Sequence, residues 1–260
     1  MTNTETLEKL KKERIGETGV NRHGTSMKLV DYSNCHNVIV EFQDRYNYKA
    51  KTTYHDFLLG KVGNPYDRTL YGIGYLGVGK YDVSKQYKKI YSVWKMMFDR
   101  CYGNNPYHTK ACYDGCIVDP VWFNFQNFAK WYEDNYYEIE CQRMQIDKDI
   151  LHKGNTIYSP DRCIIVPNEI NALFVKRKRQ RGDAPIGVYY NKNMNAYVAF
   201  CWTGGKLKEY LGRYNTSEDA FNAYKIRKEQ YIKEVADKYK DKIPARLYDA
   251  LYAYKVEITD

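Results

Sequence analysis

The residues whose types and spacing could do chemistry are concentrated towards the C-terminal end of the chain. One basic run places Lys176, Arg177, Lys178, Arg179 and Arg181 within six positions. From residue 172 to residue 260 there are 18 basic and 11 acidic residues, so this third carries +7 of the net charge of +9. Such a concentration is typical of a protein that binds a polyanion, because Lys and Arg contact phosphate groups. A basic surface that only keeps the protein in solution is the alternative interpretation.

The seven cysteines are irregularly spaced, and no Cys-x-x-Cys pair occurs. Cys112 and Cys116 could belong to a zinc site together with Cys101 or Cys141. Free cysteine is, however, commonly a small core residue. Structural zinc is therefore not expected.

Two features predict a cytosolic protein with reduced thiols. Residues 5–14 have the pattern of a charged helix rather than of an apolar signal segment. No stretch approaches the roughly 20 apolar residues that a membrane helix needs. We therefore expect a cytoplasmic location with no membrane contact, which would be the host cytoplasm if the gene belongs to a bacteriophage.

These residues must be positioned by secondary-structure elements, and the sequence pattern of those elements predicts an α+β, multi-domain protein. Residues 27–32 and 38–43 alternate between apolar and polar positions, which indicates half-buried strands in a β-rich module over 1–82. This module has no assigned role. The four glycines between residues 72 and 79 lack the strand-to-helix context of a nucleotide loop and indicate a junction instead.

Residues 83–182 change character and predict a different unit. Apolar residues recur at helical spacing over 90–101 and again over 121–131. A strand from residue 145, a turn at Gly154-Asn155, a strand at 163–166 and a helix from Asn168 then follow. This order is the outline of a strand–strand–helix (ββα) unit with preceding helices and a following basic linker.

The last module, 183–260, is predicted to be a three-stranded sheet packed on a long helix. Alternating segments lie at 195–202 and 207–214, with a Gly204-Gly205 turn between them. Thr216 and Asp219 form a capping box that begins the helix. The predicted inner face of the helix carries Phe221, Tyr224, Tyr231, Val235 and Tyr239.

The residues of this last module resemble AP2/ERF-type DNA-binding domains over about 55 positions. The resemblance is carried by Gly187-Val188, Tyr197-Val198-Ala199, the run Tyr210-Leu-Gly-Arg-Tyr214, Thr216 and the run Glu218-Asp-Ala-Phe221. It implies that one face of the sheet enters the major groove of DNA. The positions that it places on the DNA-facing side are Tyr189, Asn191, Phe200, Trp202, Lys208 and Tyr210. Plant members have arginines at several of these positions, so phosphate contact and reading of DNA shape are expected here rather than arginine–guanine pairing.

The middle unit resembles phage HNH-endonuclease proteins, which often carry such a C-terminal domain. The matching landmarks are Trp94, Met97, Arg100-Cys101, Trp122, Phe125, Phe128, the run Ile146-Asp-Lys-Asp149, Gly154-Asn155, Tyr158-Ser-Pro160, Cys163, Asn168 and Asn171. The pattern Gly16-x4-Asn21-x2-Gly24-x2-Met27 resembles the N-terminal part of the same proteins.

The second resemblance implies a divalent-metal site for DNA cleavage. By position, Asp147 and Asn171 are the expected ligands of Mg²⁺ or Mn²⁺. The usual catalytic base is a histidine directly after the aspartate, and here Lys148 occupies that position. A lysine with an ordinary pKa is protonated at neutral pH and cannot accept a proton. His152 or Asp149 could take over the role, and both remain candidates beside Lys148.

These observations predict a double-stranded-DNA-binding protein of phage or mobile-element type. The first hypothesis is a metal-dependent HNH-like DNA endonuclease. The alternative is a catalytically inactive DNA-binding regulator, or an accessory or anti-defence protein, on a degenerate nuclease scaffold. Oligomeric state is not predicted.

Overall fold

The computed structural model describes residues 3–103, 113–175, 184–204 and 208–260. Helix and sheet are mixed throughout these ranges, which confirms the predicted α+β class. The chain forms two compact units, Met1–Asp134 and Asn135–Asp260. The domain boundaries predicted after residues 82 and 182 stay predictions. Among the described helices, none is both long and apolar enough to cross a lipid bilayer.

The first unit begins with helix α1 and an antiparallel sheet of four strands in sequential order. The elements are α1 Asn3–Arg14, β1 Thr18–Val20, β2 Ser26–Asn34, β3 Asn37–Phe42 and β4 Lys49–Thr52. Every second residue of β3 is buried, because side chains of a strand alternate between its two faces. In β2 the same alternation is shifted by an irregularity after Leu29, so the next buried residue is Tyr32. The resulting core includes Met27, Leu29, Val38, Val40 and Phe42, and Leu7 and Leu10 of α1 pack against it.

The rest of the first unit contains helices joined by irregular segments, the longest described one being 59–87. The helices are α2 Tyr54–Leu58, α3 Lys88–Tyr102, a 3-10 helix Pro120–Phe123 and α4 Phe125–Asn135, with a short strand β5 Ile117–Val118 before the 3-10 helix. The apolar face of α3 buries Trp94, Met97 and Phe98, as its helical spacing predicts. The glycine-rich segment is tightly packed at Gly74, where a Cβ atom would lie 3.1 Å from the ring of Trp94.

The second unit contains two small sheets and three helices among its described residues. The elements are β6 Met144–Asp147, β7 Ile157–Tyr158, β8 Ile164–Pro167, α5 Asn168–Ala172, β9 Val188–Asn191, β10 Ala196–Cys201, β11 Glu209–Tyr214, α6 Ser217–Tyr239 and α7 Ala245–Ala253. One core joins residues of β8, α5, β9, β10, α6 and α7. Helix α7, which buries Leu247 and Leu251, was not predicted from the sequence.

Candidate functional site

The strand–strand–helix segment has the predicted order of elements. Strand β6 pairs antiparallel with β8, with Asp147 opposite Ile164 and Met144 opposite Pro167. Helix α5 begins directly after β8, at Asn168. Asp147 therefore ends the first strand, and Asn171 lies on the helix.

The Asp147 carboxylate is used by the backbone of its own turn. Its Oδ1 accepts hydrogen bonds from the backbone N–H groups of Asp149 and Ile150, each at 2.8 Å. Burial raises the pKa of Asp147, and these two hydrogen bonds offset the shift only in part. The carboxylate thus acts as a cap that fixes the exit of the chain from β6.

Lys148 is buried, with 6 % of its surface exposed, and its ammonium is bound inside the loop that follows. Its Nζ donates to both carboxylate oxygens of Asp149, at 2.9 and 2.8 Å, and to the carbonyl of Asn155 at 2.7 Å. An ammonium that donates its protons in this way is not arranged to accept a further proton, as a catalytic base must. The catalytic assignment of Lys148 stays a prediction, and its observed contacts favour a structural role.

Asn155 completes the same loop from the other side. Its Nδ2 donates to the carbonyls of Lys148 at 2.8 Å and Ile157 at 2.7 Å. Its Oδ1 accepts from the N–H of Ile157 and from Arg162, both at 3.1 Å. A buried amide with all these partners fixes the loop, since each broken bond would leave a desolvated polar group. The Gly154-Asn155 landmark therefore has a structural explanation.

The remaining predicted catalytic and metal-binding residues, His152 and Asn171, contact different parts of the segment. His152 is exposed, and its backbone carbonyl accepts from the N–H of Asn155 at 3.0 Å. The Nδ2 of Asn171 donates to Oε1 of Gln145 at 2.5 Å. Gln145 and Asp147 are alternate residues of β6 and so share one face. Gln145, which sequence reasoning missed, links the helix to the face that carries Asp147.

These donors fit a divalent cation poorly as they are arranged. Within the four described ranges, no group of three or more His, Cys, Asp or Glu side chains could hold a metal ion. One oxygen of Asp147 is engaged by backbone N–H groups, and its raised pKa opposes the charged form that a metal binds. The Nδ2 of Asn171 is engaged by Gln145, but a metal would bind its Oδ1, so this contact orients the side chain without opposing ligation. Asp147 and Asn171 stay predictions as ligands of Mg²⁺ or Mn²⁺.

The cysteines considered for zinc differ in solvent exposure. Cys116 is buried, Cys101 is half-buried and Cys141 is exposed. Cys112 lies outside the described residues. Buried Cys116 fits the use of cysteine as a small core side chain.

The C-terminal sheet has one face filled by helix α6. Its strand order is β11–β10–β9, with both pairs antiparallel. Val188, Ala199 and Cys201 enter the core beneath the sheet. The helix contributes Phe221, Tyr224, Tyr231, Val235 and Tyr239 to the same core, which confirms its predicted inner face. The predicted cap is also confirmed, because Thr216 Oγ1 accepts from the N–H of Asp219 at 3.1 Å.

The opposite face of this sheet carries a ladder of three aromatic rings. Phe200 pairs with Tyr210, and their ring centroids lie 5.4 Å apart. The rings of Tyr189 and Phe200 stack at 5.8 Å with an angle of 11°. Tyr189 and Tyr210 are 45 % and 56 % exposed. The structure thus brings together three of the six predicted DNA-facing residues in one continuous surface, which we call the aromatic ladder.

The other three predicted DNA-facing residues surround the ladder or support it. Asn191 Oδ1 accepts from the backbone N–H groups of Asn193 and Met194, at 3.0 and 3.2 Å, so this side chain fixes the β9–β10 turn. Trp202 is exposed just after β10, and Lys208 is exposed just before β11. The basic residues 176–179 and Arg181 lie outside the described residues.

Arg213 belongs to the same face and was missed by sequence reasoning. Val198 is paired with Tyr189 on one side and with Arg213 on the other. Directly paired residues of antiparallel strands project to the same side, so the exposed Arg213 lies in the row of Tyr189. A bulge between Ala199 and Phe200 shifts the register and makes this placement hard to read from simple alternation.

Comparisons of the chain with protein-family models, with curated proteins and with solved structures find no match. What the protein binds is therefore inferred from the chemistry of its own surfaces.

Proposed function

We propose that the protein binds double-stranded DNA through the aromatic ladder and the basic residues beside it. The observation that carries the proposal is a sheet with one face filled by α6 and the other face exposing Tyr189, Phe200, Tyr210 and Arg213. The major groove of B-form DNA admits a β-ribbon. The tyrosine rings contact sugar and base edges, and the hydroxyls and Arg213 donate to phosphate oxygens.

The charge distribution supports the same proposal. Residues 172–260 carry +7, and Lys208 directly precedes the strand that holds Tyr210. Contacts to phosphate release counterions, so binding of this kind weakens steeply as salt concentration rises. Because aromatic side chains replace most base-reading arginines on this face, we expect strong affinity for the backbone and limited sequence discrimination.

Two neighbouring tyrosines of β9 provide a matched test. Tyr189 and Tyr190 are 45 % and 46 % exposed, but they project to opposite faces. Tyr190 instead contacts the ring of Tyr197, at 5.1 Å, and its hydroxyl donates to Asn195. In a fluorescence-anisotropy titration with a labelled 30-base-pair duplex, Tyr189→Ala should weaken binding about tenfold while Tyr190→Ala leaves it nearly unchanged. Equal losses in both variants, or no salt-dependent binding by the wild type, would refute the proposal.

A metal-dependent DNA endonuclease is the second candidate. The order β6–β8–α5, with Asp147 at the end of the first strand and Asn171 on the helix, favours it. The contacts of Lys148 and Asp147 favour a non-catalytic DNA-binding protein instead. The test is incubation of the full chain with supercoiled plasmid and Mg²⁺ or Mn²⁺, beside Asp147→Ala. Nicking by the wild type alone would establish the endonuclease, and no nicking, or equal nicking by the variant, would exclude it.

A further inference from the structure

A pocket of about 350 Å³ opens on the first unit, where sequence reasoning predicted no site. Its walls include Tyr46, Tyr66 and Tyr75, with Arg45, Arg68 and His23 beside them. Sites for small ligands occupy roughly 300–1,000 Å³ and combine apolar or aromatic walls with a few placed polar groups. This pocket has both properties.

The aromatic wall is built from rings that already stack. Tyr46 and Tyr66 are parallel within 7°, with centroids 3.8 Å apart. Tyr75 lies 6.0 Å from each of them, tilted by about 50°. The guanidinium of Arg45 lies over the ring of Tyr46, at 4.6 Å from its centroid. Because Tyr46 and Tyr66 cover each other and Arg45 lies over Tyr46, a planar heterocycle would stack on the outer side of Tyr66 or on Tyr75.

A chain of polar groups leads from Arg45 to the pocket. Arg45 donates to the hydroxyl of Tyr46, which in turn donates to the hydroxyl of Tyr75 at 3.1 Å. The Tyr75 hydroxyl is the acceptor in this bond and also in its side-chain hydrogen bond with Arg45, because a guanidinium only donates. Its proton is therefore available to an acceptor in the pocket.

One of the two carboxylates at the pocket serves to build it. Asp67 is buried and accepts from Asn21 Nδ2 at 2.7 Å and from Thr25 Oγ1 at 2.5 Å. Asn21 Oδ1 in turn accepts from the N–H groups of His23 and Thr25, both at 3.0 Å, and so fixes the turn that places them. The turn also needs Gly24, whose φ is +86°. This explains the Asn21-x-x-Gly24 pattern in the sequence.

The second carboxylate is used in the same way. Asp44 Oδ1 accepts from the N–H groups of Tyr46 and Asn47, at 2.8 and 3.1 Å, and Oδ2 accepts from Asn64 at 2.8 Å. Both acidic groups are thus bound by the protein itself. Arg45 and Arg68 are instead exposed beside the pocket, and Arg45 is held there by Tyr46.

We infer that this pocket binds a nucleoside 5′-phosphate, either as a free nucleotide or as one nucleotide of a single strand. The base stacks against the tyrosine wall, and the phosphate is bound by Arg68, Arg45 and the Tyr75 hydroxyl. Guanidinium groups match phosphate oxygens in charge and geometry. The site is distinct from the aromatic ladder and does not depend on the ladder binding duplex DNA.

The test uses the full chain and isothermal titration with each of the four deoxynucleoside 5′-monophosphates, beside the corresponding nucleosides. At least one monophosphate should bind, and its nucleoside should bind more than tenfold more weakly because the phosphate contacts are absent. Arg68→Ala should weaken monophosphate binding by about 10- to 100-fold, and Tyr75→Phe by about two- to tenfold. Arg22→Ala is the matched control, since Arg22 is an exposed arginine of the same unit that does not line the pocket.

A six-nucleotide single strand, titrated in parallel, distinguishes the two sources of the ligand. Tighter binding of the strand than of any monophosphate, lost in Arg68→Ala, assigns the pocket to single-stranded DNA. Equal or weaker binding of the strand assigns it to free nucleotides. Failure of all probes to bind the wild type, equal binding of nucleosides, or equal losses in Arg68→Ala and Arg22→Ala would overturn the inference. These outcomes concern only the pocket. Duplex binding by the aromatic ladder is tested separately with the Tyr189 and Tyr190 variants, so either proposal can fail without the other.

Discussion

The strand–strand–helix segment and the C-terminal sheet both carry polar residues for which the sequence predicted a function, but they use them differently. In the segment around β6, Lys148 and Asn155 donate to each other's backbone carbonyls, and Asp147 accepts from the N–H groups of its own turn. On the sheet, the predicted residues Tyr189 and Tyr210 are exposed, as is Arg213, which was not predicted. The comparison shows that residue type and position alone do not separate a group that is exposed to a ligand from one that the protein uses structurally. What separates them is whether the protein itself occupies their hydrogen-bonding capacity.

The largest expected effect tests the structural role of Lys148. Lys148→Ala should lower the free energy of unfolding by about 2–3 kcal/mol, because it leaves the buried carbonyl of Asn155 without its donor and removes the ion pair with Asp149. Urea denaturation at pH 7 measures this change. Asp149 is half-exposed, so water can solvate its carboxylate and limit the loss.

His152→Ala is the control for that prediction. Its side chain is exposed, so its removal should change stability by no more than about 0.5 kcal/mol. A Lys148→Ala protein as stable as the wild type would contradict the structural role and would return Lys148 to the list of candidate catalytic groups.

The sheet side of the comparison is tested by Arg213. If its guanidinium contacts phosphate, Arg213→Ala should weaken duplex binding by about 1–2 kcal/mol on every sequence and reduce the salt slope of log K by about one. Anisotropy titrations at four salt concentrations measure both quantities. Lys242→Ala, which removes an exposed charge between the two C-terminal helices, is the control. An unchanged salt slope in Arg213→Ala would remove this residue from the interface.

Local signals in the sequence predicted the elements well. The alternation at 195–202 identified β10, and the capping box at Thr216 identified the start of α6, because both patterns act between residues a few positions apart. The burial of Lys148 could not be predicted, since lysine is almost always exposed unless it is paired, and its partner Asn155 lies across a loop.

The pocket could not be predicted for a related reason. Its walls come from four segments between His23 and Tyr75, and only folding brings them together. The 28 tyrosines of the chain gave no indication of which of them would cluster. Arg213 was missed because the bulge in β10–β11 breaks simple alternation.

The smallest expected effect sharpens the comparison by contrasting two buried lysines. Lys228 lies beneath the sheet with 8 % of its surface exposed. Burial lowers the pKa of Lys228, and the nearby thiol of Cys201 offsets this only in part. The charged form is therefore disfavoured in the folded protein, whereas the ammonium of Lys148 is bound by a carboxylate and a carbonyl.

Replacing Lys228 by the similarly long but uncharged Met should accordingly stabilise the protein at pH 7, by about 1 kcal/mol. Since the folded-state pKa lies below the unfolded value near 10.4, the unfolded state binds more protons between the two values, and wild-type stability gains with rising pH from this group. The advantage of Lys228→Met should thus be full below the folded-state pKa and shrink towards pH 10. Urea denaturation from pH 6 to pH 10 measures the difference, with Lys242→Met as the exposed control. A destabilised Lys228→Met protein, or a difference that does not change with pH, would mean that this lysine is held by partners as Lys148 is.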